Sequence, residues 1–232
     1  MAKKKTEEKD AFKSVESSLS RAENFIEENQ KAFIYGIAGL LLVVLLVIGY
    51  YRFIREPRIK QSWAEAFKAE MYFERDSFNL ALNGDGVYPG LLDIIDDYGR
   101  TPIGKASRYY AGVCYMRLGD YETAISHLKK FKSKDAMVSA MAIGLIGDAY
   151  MELGDLDKAL DYYLDAAKKA DNDLLSPIFL MKAGRTCELL NDYEKALELY
   201  KKIDKDYYDT PQQREIEKYI TRAELKIEQN KK

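Results

Sequence analysis

Cysteine, histidine, tryptophan and proline are all scarce: the 232 residues hold two, one, one and five of them. Two cysteines cannot build a disulfide framework. Cys114 and Cys187 also fall two copies apart in the repeat described below, beyond the roughly 7 Å between Cα atoms that a disulfide can bridge. Both read as small apolar fillers, and they fix no redox compartment. The lone histidine, His127, falls at a helix position expected to face outward with no second ligand or nucleophile in view, so neither a metal centre nor a catalytic triad can be assembled around it. An excess of one charge is missing too. Lys and Arg number 36 against 38 Asp and Glu, a net charge of −2, which gives no general pull toward nucleic acid. No glycine-rich turn links a strand to a helix as a phosphate loop requires, and the pairs Asp96-Asp97 and Asp157-Asp161 read as helix surface. The expectation is a protein that is not an enzyme, with no catalytic residues, no cofactor, no metal and no small-molecule substrate.

What is present is a repeat. Gly112, Tyr115, Gly119, Asp120 and Ala124 return 35 residues later as Gly147, Tyr150, Gly154, Asp155 and Ala159, and 37 residues after that as Gly184, Cys187, Asn191, Asp192 and Ala196. A period in this range, built from two short helices, marks a helical solenoid. Gly112, Gly147 and Gly184 let a first helix press on its partner, and Ala124, Ala159 and Ala196 do so from the second. Gly119, Gly154 and Asn191 stand where the first helix must stop, a place that favours a left-handed backbone, and the Asp after each can accept hydrogen bonds from amides opening the next helix. The pattern resembles the tetratricopeptide repeat (TPR), which implies antiparallel helix pairs stacked into a right-handed superhelix with a concave groove.

One long apolar run precedes the repeats. Between Lys31 and Arg52 lie 20 uncharged residues, 12 of them Leu, Ile, Val or Phe, and at ~1.5 Å rise each they match the roughly 30 Å hydrocarbon core of a bilayer. The segment 32–53 is therefore expected to span a membrane as a permanent anchor. A cleavable signal would be shorter and would end at small residues rather than at Tyr50-Tyr51-Arg52. Before it, residues 1–31 form a charged tail in which Phe12, Val15, Leu19, Ala22 and Ile26 draw a narrow apolar stripe over about 12–29. An interfacial helix on the bilayer, a coiled-coil partner and a helix that is only partly formed are the three readings of that stripe, the first preferred. Flanking charges conflict with other signals about orientation. Arg52, Arg55, Arg58 and Lys60 follow the run closely while Arg21 and Lys31 precede it, which on charge alone places the carboxyl side inside; long folded domains nevertheless translocate largely regardless of nearby charge.

After Pro57 a stripe of Ile59, Trp63, Ala66, Phe67 and Met71 predicts a long helix to about Leu82, within a degenerate repeat over 57–98. Three clear copies follow over 104–208. Thr210, Pro211 and Gln213 predict a capping-box start to a capping helix over 210–230. The fold class is all-α: an N-terminal transmembrane helix, then an α-solenoid of about four TPR-like helix pairs with a C-terminal capping helix.

By register, the groove face should present Tyr109, Val113, Met116 and Arg117, then Met141, Asp148, Met151 and Glu152, then Ile178, Met181, Arg185 and Glu188. Methionines among mixed charges describe an adaptable surface for protein partners, the other reading being that several of them pack between helices. The TPR family's carboxylate clamp needs Lys, Asn and Arg at positions that here hold Tyr109, Val113, Leu145, Ile178 and Lys182, so four of five depart from it. The whole arrangement is similar to the YfgM-like family of bacterial inner-membrane TPR proteins. That resemblance implies a cytoplasmic amino end, a periplasmic repeat domain, and association with the SecY translocon, periplasmic chaperones or exported polypeptides. The competing class is a structural assembly subunit of a cell-envelope complex with no client.

Overall fold

The structure, a computed structural model, describes residues 27–231. It divides at Pro57 into two units. The apolar stripe expected over Phe12–Ile26 lies outside the described residues.

In the first unit, helix α1 (Gln30–Tyr50) is followed by a widened π-helical turn, Tyr51–Arg55. The 21 residues of α1 rise over about 31 Å. An 18-residue stretch of it has a mean hydropathy of 2.7 with none of it buried. Leu40 to Ile48 all stand exposed, and water is a poor solvent for so continuous an apolar surface.

In the second unit the helices are α2 (Glu56–Glu74, entering from the first unit), α3 (Phe78–Asn83), α4 (Leu91–Tyr98), α5 (Pro102–Leu118), α6 (Tyr121–Lys130), α7 (Ala136–Glu152), α8 (Leu156–Ala170), α9 (Ser176–Leu189), α10 (Tyr193–Asp206), α11 (Pro211–Arg214) and α12 (Ile216–Asn230). From α4 to α10 each helix packs on the next, and α12 closes the stack against α10. Short turns between neighbours make the succession antiparallel. No strand occurs among the described residues.

The repeat's small residues act by close packing. A Cβ on Gly112 would fall 2.6 Å from Leu128, on Gly147 2.8 Å from Tyr163 and on Gly184 2.3 Å from Tyr200, three side chains that are themselves one repeat period apart. Ala124, Ala159 and Ala196 are fully buried opposite them. The stops form as the spacing predicts: Gly119, Gly154 and Asn191 have φ of 82°, 77° and 60°, and Asp120, Asp155 and Asp192 accept from the amides of Thr123, Lys158 and Lys195 at 3.1, 3.2 and 3.1 Å. Both thiols are free and buried, and burial pushes Cys114 up to about 12 and Cys187 to about 11.

Four expectations need correction. The helix expected to run to Leu82 stops at Glu74, because Asp76 turns left-handed (φ 56°) and the Ser77 amide donates back to the Tyr72 carbonyl at 2.9 Å. The chain after it folds back tightly: Asp85 accepts from the amides of Val87 and Tyr88 and from the Tyr72 hydroxyl, bonds that hold its carboxyl down to about 2. The capping helix is broken at Glu215, and only half of its capping box forms, since the Gln213 amide donates to Thr210 Oγ1 while its side chain reaches Asp204.

The fourth is His127. Instead of facing outward it is half-buried, stacked on Tyr115 at 5.3 Å. Burial first, then Lys130 and Arg108, lower its pKa against a small opposing pull from Asp96. The unfolded chain thus binds more protons than the folded one between the folded pKa and about 6.5. Stability is therefore expected to fall as pH drops through about 6.5. In a series of melts between pH 7.5 and 5, His127→Phe should flatten part of that slope; an unchanged slope would remove His127 from the account.

Candidate functional site: a cleft on the first-helix face

A cleft of about 460 Å³ opens where α5, α7 and α9 present their faces, walled on one side by Tyr121 and Tyr163 from the second helices. Its volume lies within the range of pockets that seat side chains or small ligands. Val113, Met116, Leu145 and Met151 supply apolar surface, and Arg117, Asp148, Glu152 and Lys182 supply charge.

The polar end is tightly tied. Lys182 Nζ sits 2.6 and 2.8 Å from the two Asp148 oxygens, and the Tyr163 hydroxyl donates to the same carboxylate at 2.7 Å. Burial first, and then this hydrogen bond to Asp148, raises the Tyr163 pKa, so the phenol stays protonated at any ordinary pH. A second staple stands beyond it, where Arg222 of α12 donates to both Glu188 oxygens (2.6 and 3.2 Å) and the Tyr200 hydroxyl adds 3.1 Å. One period earlier, Val113, Leu128 and Leu145 occupy the places of Asp148, Tyr163 and Lys182. The staple there is replaced by hydrocarbon, so Val113 and Leu145 add apolar surface to the cleft where the next repeat carries the ion pair. Asp148 is the residue whose loss tests this. Asp148→Leu leaves Lys182 half-buried beside a ring without its anion, and should cost on the order of 1–3 kcal/mol in a denaturant melt. An unaffected midpoint would show the ion pair contributes nothing net.

Six of the twelve residues predicted for the groove, Val113, Met116, Arg117, Asp148, Met151 and Glu152, come together in this cleft. The other six stand elsewhere. Tyr109 packs on Tyr110 and Phe131 at 6.0 and 5.5 Å, and Met141 is exposed outside the cleft. Met181 is half-buried against the inter-repeat core, Ile178 is half-buried on the same helix, Arg185 is exposed, and Glu188 is held by Arg222. Leu145, Tyr121, Tyr163 and Lys182 also line the cleft: Leu145 and Lys182 stand at two of the carboxylate-clamp positions, whereas Tyr121 and Tyr163 come from second helices, outside the predicted groove face. The signal for Tyr163 and Lys182 was a hydroxyl and a cation one period after two leucines.

Sequence reading also missed a smaller cavity of about 370 Å³ between α8, α9 and α10, floored by Leu164, Ala167, Leu180 and Leu199, with Lys168, Asp171, Lys202 and Tyr207 at its mouth. Among the described residues no group of His, Cys, Asp and Glu is arranged to hold a metal ion.

Comparison with known proteins decides what these helix pairs are. Residues 106–136 and 145–209 each match a family profile described as tetratricopeptide repeat. The chain carries tetratricopeptide repeats. A TPR repeat-containing protein of Methanocaldococcus jannaschii, MJ1428, is 29% identical over 133 residues, covering 55% of this chain and 22% of that protein, so the chain spans less than a quarter of its relative's length. Among solved structures, a Podosopora anserina protein described as a putative kinesin light chain with nearly identical TPR-like repeats superposes with a TM-score of 0.53 at 13% identity, over 75% of this chain and 90% of that one. A point variant of that same protein gives 0.53 at 14% identity, over 75% and 89%. At these identities the likeness establishes the all-α TPR solenoid. TPR domains generally bind proteins, and they are typically interaction scaffolds without enzymatic activity.

Proposed function

We propose that the chain is a single-pass membrane scaffold whose first-helix cleft takes polypeptide partners. The cleft carries this reading. Val113, Met116, Leu145 and Met151 offer a partner's apolar side chains a mouldable seat, while the Asp148 and Lys182 pair matches its own charge and leaves Arg117 and Glu152 to orient what binds. Membrane attachment is supported by α1, whose exposed apolar surface and ~31 Å length suit a bilayer core. On the similarity to YfgM-like proteins, the membrane is the bacterial inner membrane with the amino end cytoplasmic. The repeats then lie in the periplasm, where exported polypeptides, periplasmic chaperones and the SecY translocon are the partners.

Met116→Glu together with Met151→Glu should weaken partner capture about tenfold or more, because a charge pressed into an apolar contact forfeits upward of 1.4 kcal/mol. Pull-down titration on the full-length protein checks this, with circular dichroism required to show an unchanged helical content. Full-strength capture by a folded double variant would refute the cleft. Side of the membrane is read separately, by fusing at Lys232 a phosphatase active only outside the cytoplasm; activity of a cytoplasm-only reporter there would reverse the topology.

A further inference from the structure

Because the helices alternate in direction, the start of α2 and the turns 99–101, 131–135, 171–175 and 207–210 share one edge of the solenoid. Arg58 fits the arrangement: it donates to the Asp97 carbonyl and lies over the Tyr98 ring at 5.4 Å, so α2 begins where α4 ends. The turns from first to second helix occupy the opposite edge.

The two edges differ in charge. The opposite edge is acidic, with Asp120, Glu122, Asp155, Asp157, Asp192 and Glu194 around its three turns. On the edge where α2 begins, Lys130, Lys132 and Lys134 lie within five residues, all exposed, and among the described residues none of the three forms an ion pair. Lys129 turns its ammonium toward the opposite edge, 3.1 Å from the Tyr150 hydroxyl and over the Tyr150 and Tyr162 rings, where Lys158 also lies over Tyr150. Asp135, the acid that ends this run, is occupied in capping α7 through the amides of Met137 and Val138. Neighbouring turns on the same edge raise Leu174 and Tyr208, 62% and 85% exposed. Asp96 and Asp97 at the end of α4 and Asp171 and Asp173 in the Leu174 turn oppose the lysines in part, while Asp209 is paired with Arg214.

We infer that this edge docks on a bilayer surface rich in anionic lipid headgroups. Three lysines outside any ion pair complement such a surface, and an exposed tyrosine and leucine suit its interface. The inference rests on the reading of α1 as a membrane span. Given that span, the solenoid is tethered to the bilayer, and the tether makes even weak contacts with its surface effective.

The test uses the full-length protein in vesicles of phosphatidylcholine, with or without about one-third phosphatidylglycerol. A fluorophore is placed at Tyr208→Cys or, on the opposite edge, at Leu153→Cys; the raised thiols of buried Cys114 and Cys187 keep those sites silent. Quenching by headgroup-labelled lipid should be about fivefold stronger at position 208 than at 153 in anionic vesicles, and should fall to the level at 153 in about 1 M salt or when Lys130, Lys132 and Lys134 are changed to Glu. Equal quenching at both positions, or quenching indifferent to anionic lipid, overturns the docking; an acidic protein would then be the partner for the lysines. Alkali-resistant flotation with both vesicle types is read in parallel. Flotation without lipid-dependent quenching leaves the span standing and rejects the docking, whereas loss of flotation rejects the span itself.

Discussion

Gly184→Val is expected to destabilise the solenoid by about 3 kcal/mol or more, the upper end of what overpacking a filled core costs. A first carbon added at Gly184 already falls 2.3 Å from the Tyr200 ring, and Tyr200 is fully buried with its hydroxyl tied to Glu188. The ring cannot retreat without breaking that bond and opening the contact between α9 and α10. Helix propensity favours the change, since an interior glycine costs about 1 kcal/mol relative to alanine, but the clash outweighs that gain. In a thermal melt the midpoint should drop by about 6–12 °C. Gly36→Ala makes the paired control, because nothing lies within 4 Å of its new carbon and the solenoid's melt should not move. A Gly184→Val variant that melts with the wild type would mean the repeat's small residues are not set by packing.

The second large effect concerns α1. Twelve Leu, Ile, Val and Phe residues at about −0.3 to −0.6 kcal/mol each favour insertion by about 4 to 7 kcal/mol, and an arginine at mid-span costs about 2.5 to 3.5. Leu42→Arg with Leu45→Arg therefore cancels the whole preference. The double variant should leave the alkali-resistant membrane fraction and appear in the supernatant with its helical content largely kept, as the solenoid's core includes neither residue. Retention of the double variant in the pellet would show that something other than α1 holds the protein to membranes.

Much of the solenoid was legible because its determinants are local and repeated. A left-handed stop, an Asp cap and a small residue against a large one recur at fixed spacing, and each leaves a residue type that few alternatives satisfy. Where the chain departed from expectation, long-range packing decided. The stripe from Ile59 to Met71 continues in sequence past Glu74, but Asp76 and the knot around Asp85 fold the chain back, and no periodicity announces that. His127 was misplaced for a similar reason: its position one period later is Tyr162, which stacks on Tyr150 as His127 stacks on Tyr115, so an aromatic pair is a feature of both repeats. Comparing the copies at that pair of positions would have found it. The groove was half legible. Register pointed to the first helices that line the cleft, but which methionines face open space depends on how neighbouring first helices meet, and Met181 turns toward the core while Met151 also lines the cleft.

Capture of polypeptide partners in the cleft between α5, α7 and α9 is tested most directly by site-specific photocrosslinking. A photoreactive phenylalanine analogue placed at Met116 in the cleft, or at Asp161 on the exposed side of α8, is activated in intact membranes carrying the full-length protein. Discrete protein adducts from position 116, lost when Met151→Glu is added and absent from position 161, are the expected result. Adducts that form at 161 and not at 116 would place the binding surface on the second helices and contradict the account.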